Sequence, residues 1–203
     1  IYYCERIEEK MNKKLQVKDL MTVGIFTALY LVVIFASMML GYLPIMIPFL
    51  GGVMAIFGAI PCILYISKVD KFGMVSLMGV LSGLVFFLMG SGVIVLLFGI
   101  VFGLSADLVM KSGGYKDLKR SILGYAIFSL WSVGFSLRMY IDRTNFFASQ
   151  LETYGKDYVD TLMSLTPTWT LPVIIIITFI SGLIGAKLGV RIFKKHFMRI
   201  GIK

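Results

Sequence analysis

The sequence predicts an all-α integral membrane protein, a bundle of six transmembrane helices with both ends cytoplasmic. Three observations carry this. The 203 residues are 58% hydrophobic and only 15% charged, whereas soluble domains are about half apolar and about a quarter charged. The apolar residues fall in blocks matching the roughly 20 residues that a helix needs to cross the hydrocarbon core. The basic residues gather in alternate connections, as they do in cytoplasmic loops.

The chain opens on residues 1–19, a charged segment expected to be cytoplasmic. Within it, Ile1 to Lys10 reads as an over-extended start, with Met11-Asn-Lys-Lys14 as the natural one. The first span covers 20–40, and Gly41-Tyr42-Leu43-Pro44 ends it. The second covers 45–66, followed by the polar turn Ser67-Lys68-Val69-Asp70-Lys71. The apolar run after it is too long for one crossing, and Gly90-Ser91-Gly92 divides it into spans at 73–89 and 92–110. A basic loop follows from Lys111 to Arg120, then a fifth span at 121–141. The connection 142–168 leads to the sixth span, 171–193, and residues 194–203 form a basic cytoplasmic tail.

Charge sets the expected orientation. All but three of the 20 Lys and Arg residues fall in the N-terminal segment, the second and fourth connections and the C-terminal stretch. The three exceptions are Arg138, Arg143 and Lys156, which share their side with Asp142, Glu152, Asp157 and Asp160. The net charge of +9 is thus a topology signal and needs no nucleic acid to explain it.

Arg138 stands out among candidate site residues. It lies in Trp131-Ser-Val-Gly134-Phe-Ser-Leu-Arg138-Met-Tyr140, about one turn inside the outer end of the fifth span, where charge is costly. Trp131, Gly134, Arg138 and Asp142 follow helical spacing and share one expected face. A guanidinium there suits bidentate contact with an anionic or carbonyl-bearing ligand. The alternative is an Arg that snorkels to the headgroups, paired with Asp142. In the connection beyond, Leu151, Tyr154, Tyr158, Leu162 and Leu165 recur at helical spacing. They predict one amphipathic helix over the bundle, either capping a cavity or anchoring at the interface. Tyr42, Ser91, Tyr140, Asn145, Thr168 and Trp169 belong to the same outer end and complete the expected ligand-binding set.

Two stripes of small residues suit close helix contact. Gly24 and Ala28 lie in the first span; Ser181, Gly182, Gly185, Ala186 and Gly189 lie in the sixth. Each reads as packing inside the bundle or as a flat face for a partner subunit. Asp107, with Lys111 four residues on, reads as an interfacial ion pair. The two cysteines, Cys4 and Cys62, and the single His196 form no metal spacing, and the chain carries no HExxH, GxSxG or paired intramembrane aspartates. The expectation is no enzyme, no metal and no cofactor.

Val17-Lys-Asp-Leu-Met-Thr-Val-Gly-Ile-Phe-Thr-Ala-Leu-Tyr and Pro44-Ile-Met-Ile-Pro-Phe-Leu-Gly-Gly, within this six-span pattern, resemble the S components of energy-coupling factor (ECF) transporters. The similarity runs from Met11 to Lys203 and is greatest to the Trep-Strep (MptD-like) group. The resemblance implies a substrate-binding subunit that takes a vitamin or similar micronutrient from outside a bacterium. It also implies partners: a coupling transmembrane protein and two ATPase subunits on separate chains. The family's docking motif is AxxxA in the first helix, and here Gly24 takes the first alanine's place and Ala28 the second. Two other readings stay open: a stand-alone secondary transporter or channel, and a non-transporting membrane scaffold.

Overall fold

A computed structural model of the protein describes residues 15–197, so the expected start at Met11 lies outside the described residues. The side chains of the basic tail, 194–203, also lie outside them. The described chain is helical, without a strand, and six of its helical segments are long and apolar enough to cross a membrane. In hydrocarbon no water is present to satisfy an exposed peptide group, so a helix, which bonds its own backbone, is the form this composition dictates.

The first span is α1 (Val17–Met38), extended by a 3-10 turn through Tyr42. The second is broken into a 3-10 turn (Pro44–Phe49), α2 (Leu50–Phe57) and α3 (Ala59–Ile66). The break has a local cause. Pro61 has no N–H to bond the Phe57 carbonyl, and its ring crowds that carbonyl. Gly58, at the break, is glycine because a Cβ there would meet the Met54 carbonyl and the Tyr30 ring, each at 2.7 Å. Tyr125 donates to the Ala55 carbonyl at 2.7 Å and braces the same bend.

The third span is α4 (Met74–Phe86) with a π turn to Ser91, and the fourth is α5 (Val93–Lys111). Gly90 and Gly92, at φ 88° and 90°, make the reversal between them. The fifth span joins α6 (Leu118–Ser129), a 3-10 turn and α7 (Val133–Ile141). The long connection folds as α8 (Arg143–Tyr154) and α9 (Lys156–Leu165), and α10 (Thr170–Phe197) is the sixth span. The single amphipathic helix expected here is therefore two. Gly155, at φ 83°, ends the first helix, so Leu151 and Tyr154 stay partly exposed while Val159 and Leu162 are buried.

Packing links the spans into a closed ring in the order one, two, six, five, four, three. Its centre is aromatic: Tyr30, Phe86, Phe128 and Trp131 are buried together, and the Trp131 indole N–H donates to the Tyr30 hydroxyl at 2.8 Å. Spans three and four approach most closely. A Cβ on Gly79 would strike the Gly99 carbonyl, and one on Gly103 would sit 3.2 Å from the Gly79 Cα. Gly79/Gly83 and Gly99/Gly103 are thus two GxxxG pairs facing each other, a pattern that lets helix backbones touch. Neither pair stands out in spans this rich in glycine.

The two ends of the bundle differ. At the basic end, Lys71 pairs with Asp19 at 2.8 Å, and Val190 and Phe193 share a cleft with Ser67, Tyr115 and Lys116. Both described ends of the chain lie there. The other end is covered by α8 and α9 and is called the lid end below.

Asp107 corrects an expectation at the basic end. It makes no ion pair with Lys111. Its Oδ2 accepts from the Gly73 and Ser76 amides at 2.8 and 3.0 Å and from the Ser76 hydroxyl at 2.8 Å, and its Oδ1 accepts from the Tyr115 hydroxyl at 2.7 Å. The carboxylate serves the free N–H groups at the start of α4, where negative charge also complements the helix dipole. Burial, followed by that carboxylate, pushes the Tyr115 phenol upward, so it stays a donor. Lys111 instead lies over the Phe72 ring, 4.6 Å from its centre.

Candidate ligand cavity under the lid

A cavity of about 400 Å³ opens at the lid end, where the turns after spans one and three meet α8 and α9. Its floor is Phe35, Met38, Leu50 and Phe86, with Phe35 and Phe86 at 5.0 Å between ring centres. Phe86 is fixed from behind by Phe135 and Trp131, at 4.8 and 5.7 Å. Met39, Tyr42, Met89, Tyr154 and Tyr158 complete its walls. Tyr154 and Tyr158 stack at 4.6 Å and 21° on either side of the Gly155 break, and Tyr42 meets Tyr154 edge-on. Ser91 and Gln150 supply polar groups.

The lid is held at three places. Tyr158 donates to the Gly41 carbonyl at 2.8 Å. Burial, then the neighbouring Tyr154, raises the Tyr158 phenol above its ordinary range, so it remains a donor. Arg143 donates to the Thr166 carbonyl at 2.7 Å and lies over the Phe147 ring at 4.8 Å, joining the two ends of the connection. Phe147, Val159 and Leu162 pack on Met139 and Ile47 as a small separate core.

The expected site residues divide. Tyr42 and Ser91 line the cavity. Trp131 lies one layer below, fully buried, its N–H taken by Tyr30. Gly134 is packed against Val95 and Phe98 of the fourth span. Tyr140 shares a hydrogen bond with Thr170 at 2.6 Å, and Asn145 donates to Asp142 at 2.8 Å; both bonds lie outside the cavity lining. Thr168 and Trp169 are exposed. Arg138 is exposed too, is not part of the lining, and does not pair with Asp142. The shared face of Trp131, Gly134, Arg138 and Asp142 is therefore not formed. Met139 takes the inward position at this height, because a guanidinium there would lose its water without gaining a carboxylate. Phe35, Met38, Phe86 and Gln150 escaped sequence analysis; the first three look like any other apolar positions in a span.

The two small-residue stripes also separate. A Cβ on Gly185 would sit 2.7 Å from the Ala55 carbonyl, one on Gly182 2.9 Å from the Ala126 Cα, and one on Gly189 3.0 Å from Ile63. Ser181 packs on Gly52, and Ala186 is fully buried. The sixth-span stripe is occupied by spans two and five and offers no docking face. Gly24 and Ala28 are exposed, with nothing within 4 Å of a Cβ placed on Gly24.

Residues 17–199 match the family described as hypothetical bacterial integral membrane protein (Trep_Strep). The chain belongs to the Trep_Strep family. It is accordingly a multi-pass bacterial membrane protein, and the exposed Leu, Ile, Val and Phe side chains around its six spans are its lipid-facing surface. Neither the curated proteins nor the solved structures compared with this Trep_Strep protein gave a match. Among its described residues no three His, Cys, Asp or Glu side chains come together as a metal site.

Proposed function

We propose that this Trep_Strep protein is the substrate-binding S component of an ECF-type importer, and that it takes up a vitamin-like micronutrient. The observation that carries the reading is the open cavity of about 400 Å³ beside α8 and α9, at the end with few basic residues. Its size and its mostly apolar lining with a few polar groups are those of a small-molecule site. The positive-inside rule puts that end outside the cell, where an uptake protein meets its cargo. The open face at Gly24 and Ala28 supports docking of a coupling transmembrane protein that carries two ATPases. No catalytic step belongs to this chain in that scheme. An ion-coupled carrier would need exchangeable buried charge along a path, whereas the fully buried Asp107 is held by Gly73, Ser76 and Tyr115.

Mass spectrometry of small molecules carried through gentle purification tests this reading. The wild-type protein is expected to retain a stoichiometric compound that Tyr154→Ala loses. Retention of the same compound by both proteins would place binding elsewhere, and a wild-type protein that carries nothing and binds nothing would contradict the reading.

A further inference from the structure

We infer that the cavity under the lid selects an uncharged, planar heteroaromatic molecule with a hydrogen-bonding edge. This rests on the small-molecule reading above and narrows it. The first observation is the absence of charge: the described residues that line the cavity include no Asp, Glu, Lys, Arg or His. Of the three cations at this end, Arg143 is committed to the Thr166 carbonyl and the Phe147 ring, and Arg138 and Lys156 lie outside the lining. A carboxylate or phosphate settling on Phe35, Leu50 and Phe86 would give up part of its water without a counter-charge, which disfavours it even though the cavity is open to solvent.

The second observation is the wall chemistry. Tyr42, Tyr154 and Tyr158 are already arranged edge-on and stacked, and Phe35 and Phe86 form a ring surface below. Flat π systems gain offset-stacked and edge contacts on such walls, which saturated or branched molecules do not. Methionine sulfurs of Met38, Met39 and Met89 add soft contacts to ring edges. The third observation is the polar pair. Gln150 and Ser91 line the cavity, and among the described residues their side chains have no hydrogen-bond partner. A primary amide both donates and accepts, so Gln150 complements an amide-like edge of a ring. The volume suits a bicyclic ring system.

A matched pair of probes, quinoline-3-carboxamide and quinoline-3-carboxylate, isolates charge at nearly constant shape. Binding of each is measured by calorimetry and saturation-transfer NMR on the full chain in nanodiscs. The carboxamide is expected to bind at least about tenfold more tightly than the carboxylate. Gln150→Lys, at a half-buried surface position, is expected to reverse that order, and Tyr154→Ala to weaken the carboxamide about tenfold. Melting temperatures equal to wild type show that both variants are folded. Equal affinities, or a wild-type preference for the carboxylate, would overturn the neutral ligand class, as would the absence of saturable binding by either probe. The binding reading itself stands or falls separately, on the compounds carried through purification.

Discussion

The Tyr158 hydroxyl reaches the Gly41 carbonyl across 117 residues of sequence at 2.8 Å. It ties the second helix of the lid to the turn that ends the first span, directly beside the cavity. Gly41 lies in a 3-10 turn at the end of its helix, where carbonyls lack the next helical amide. The lid is thus latched to a backbone group that has a lone pair to offer.

Tyr158→Phe removes that donor and keeps the ring stack. The lid is expected to open more readily, with protection of the Arg143–Leu165 amides falling by about 1 kcal/mol in hydrogen exchange. Unchanged protection would show that the small core around Leu162 holds the lid alone.

The same latch has a pH signature. The phenol is pushed above its usual value by burial, then by Tyr154. The protonated form makes the bond, so its stabilisation is fully present below the unfolded value of about 10 and is lost as pH rises through the higher folded value. Amide protection of the lid, corrected for intrinsic exchange, should therefore be flat from about pH 6 to about pH 9. A loss of protection within that range would assign the latch to another group.

Much of this architecture was legible in the sequence, and the reason is physical. Hydrocarbon imposes one length and one hydrogen-bonding solution, so the apolar blocks and the Gly41–Pro44 and Gly90–Gly92 turns marked the spans closely. What a helix face meets was not legible. Gly24 and Gly185 both belong to small-residue stripes, yet one faces outward and the other presses on the Ala55 carbonyl. In a lipid-facing protein both faces are apolar, so hydropathy cannot separate inside from outside. Arg138 misled for a related reason: intramembrane charge marks a position as unusual without fixing which way it points. Spacing pairs Asp107 with Lys111, while its real partners come from the loops before α4 and α6 and from the first turn of α4.

Asp107→Ala leaves the Gly73 and Ser76 amides and the Tyr115 hydroxyl without their acceptor. Stability in detergent is expected to fall by about 3 kcal/mol, read from denaturant or thermal unfolding. Asp107→Asn keeps one carbonyl acceptor and is expected to lose less. A wild-type melting temperature for Asp107→Ala would mean that water replaces the carboxylate.

The glycines divide by what a methyl group would strike. Gly79→Ala and Gly185→Ala drive a Cβ onto the neighbouring helix backbone and are expected to destabilise by about 2 kcal/mol each. Gly24→Ala meets nothing within 4 Å and, lying inside a helix, should leave stability unchanged or raise it by up to about 1 kcal/mol. Equal melting shifts for all three would contradict the assignment of inside and outside faces.

Arg138 lies outside the cavity lining, so Arg138→Ala should leave quinoline-3-carboxamide affinity within about twofold of wild type. A loss of affinity of tenfold or more would return Arg138 to the site.

The importer role is tested most directly by affinity purification of the full chain from its own bacterial membranes, comparing wild type with Gly24→Leu. The wild-type protein should bring down one further membrane protein and two ATPase subunits. Gly24→Leu, which fills the open face of the first span without touching the bundle interior, should be folded and come down alone. Association that survives Gly24→Leu would move the docking face elsewhere, and a wild-type protein that associates with no ATPase-bearing membrane complex would contradict the account.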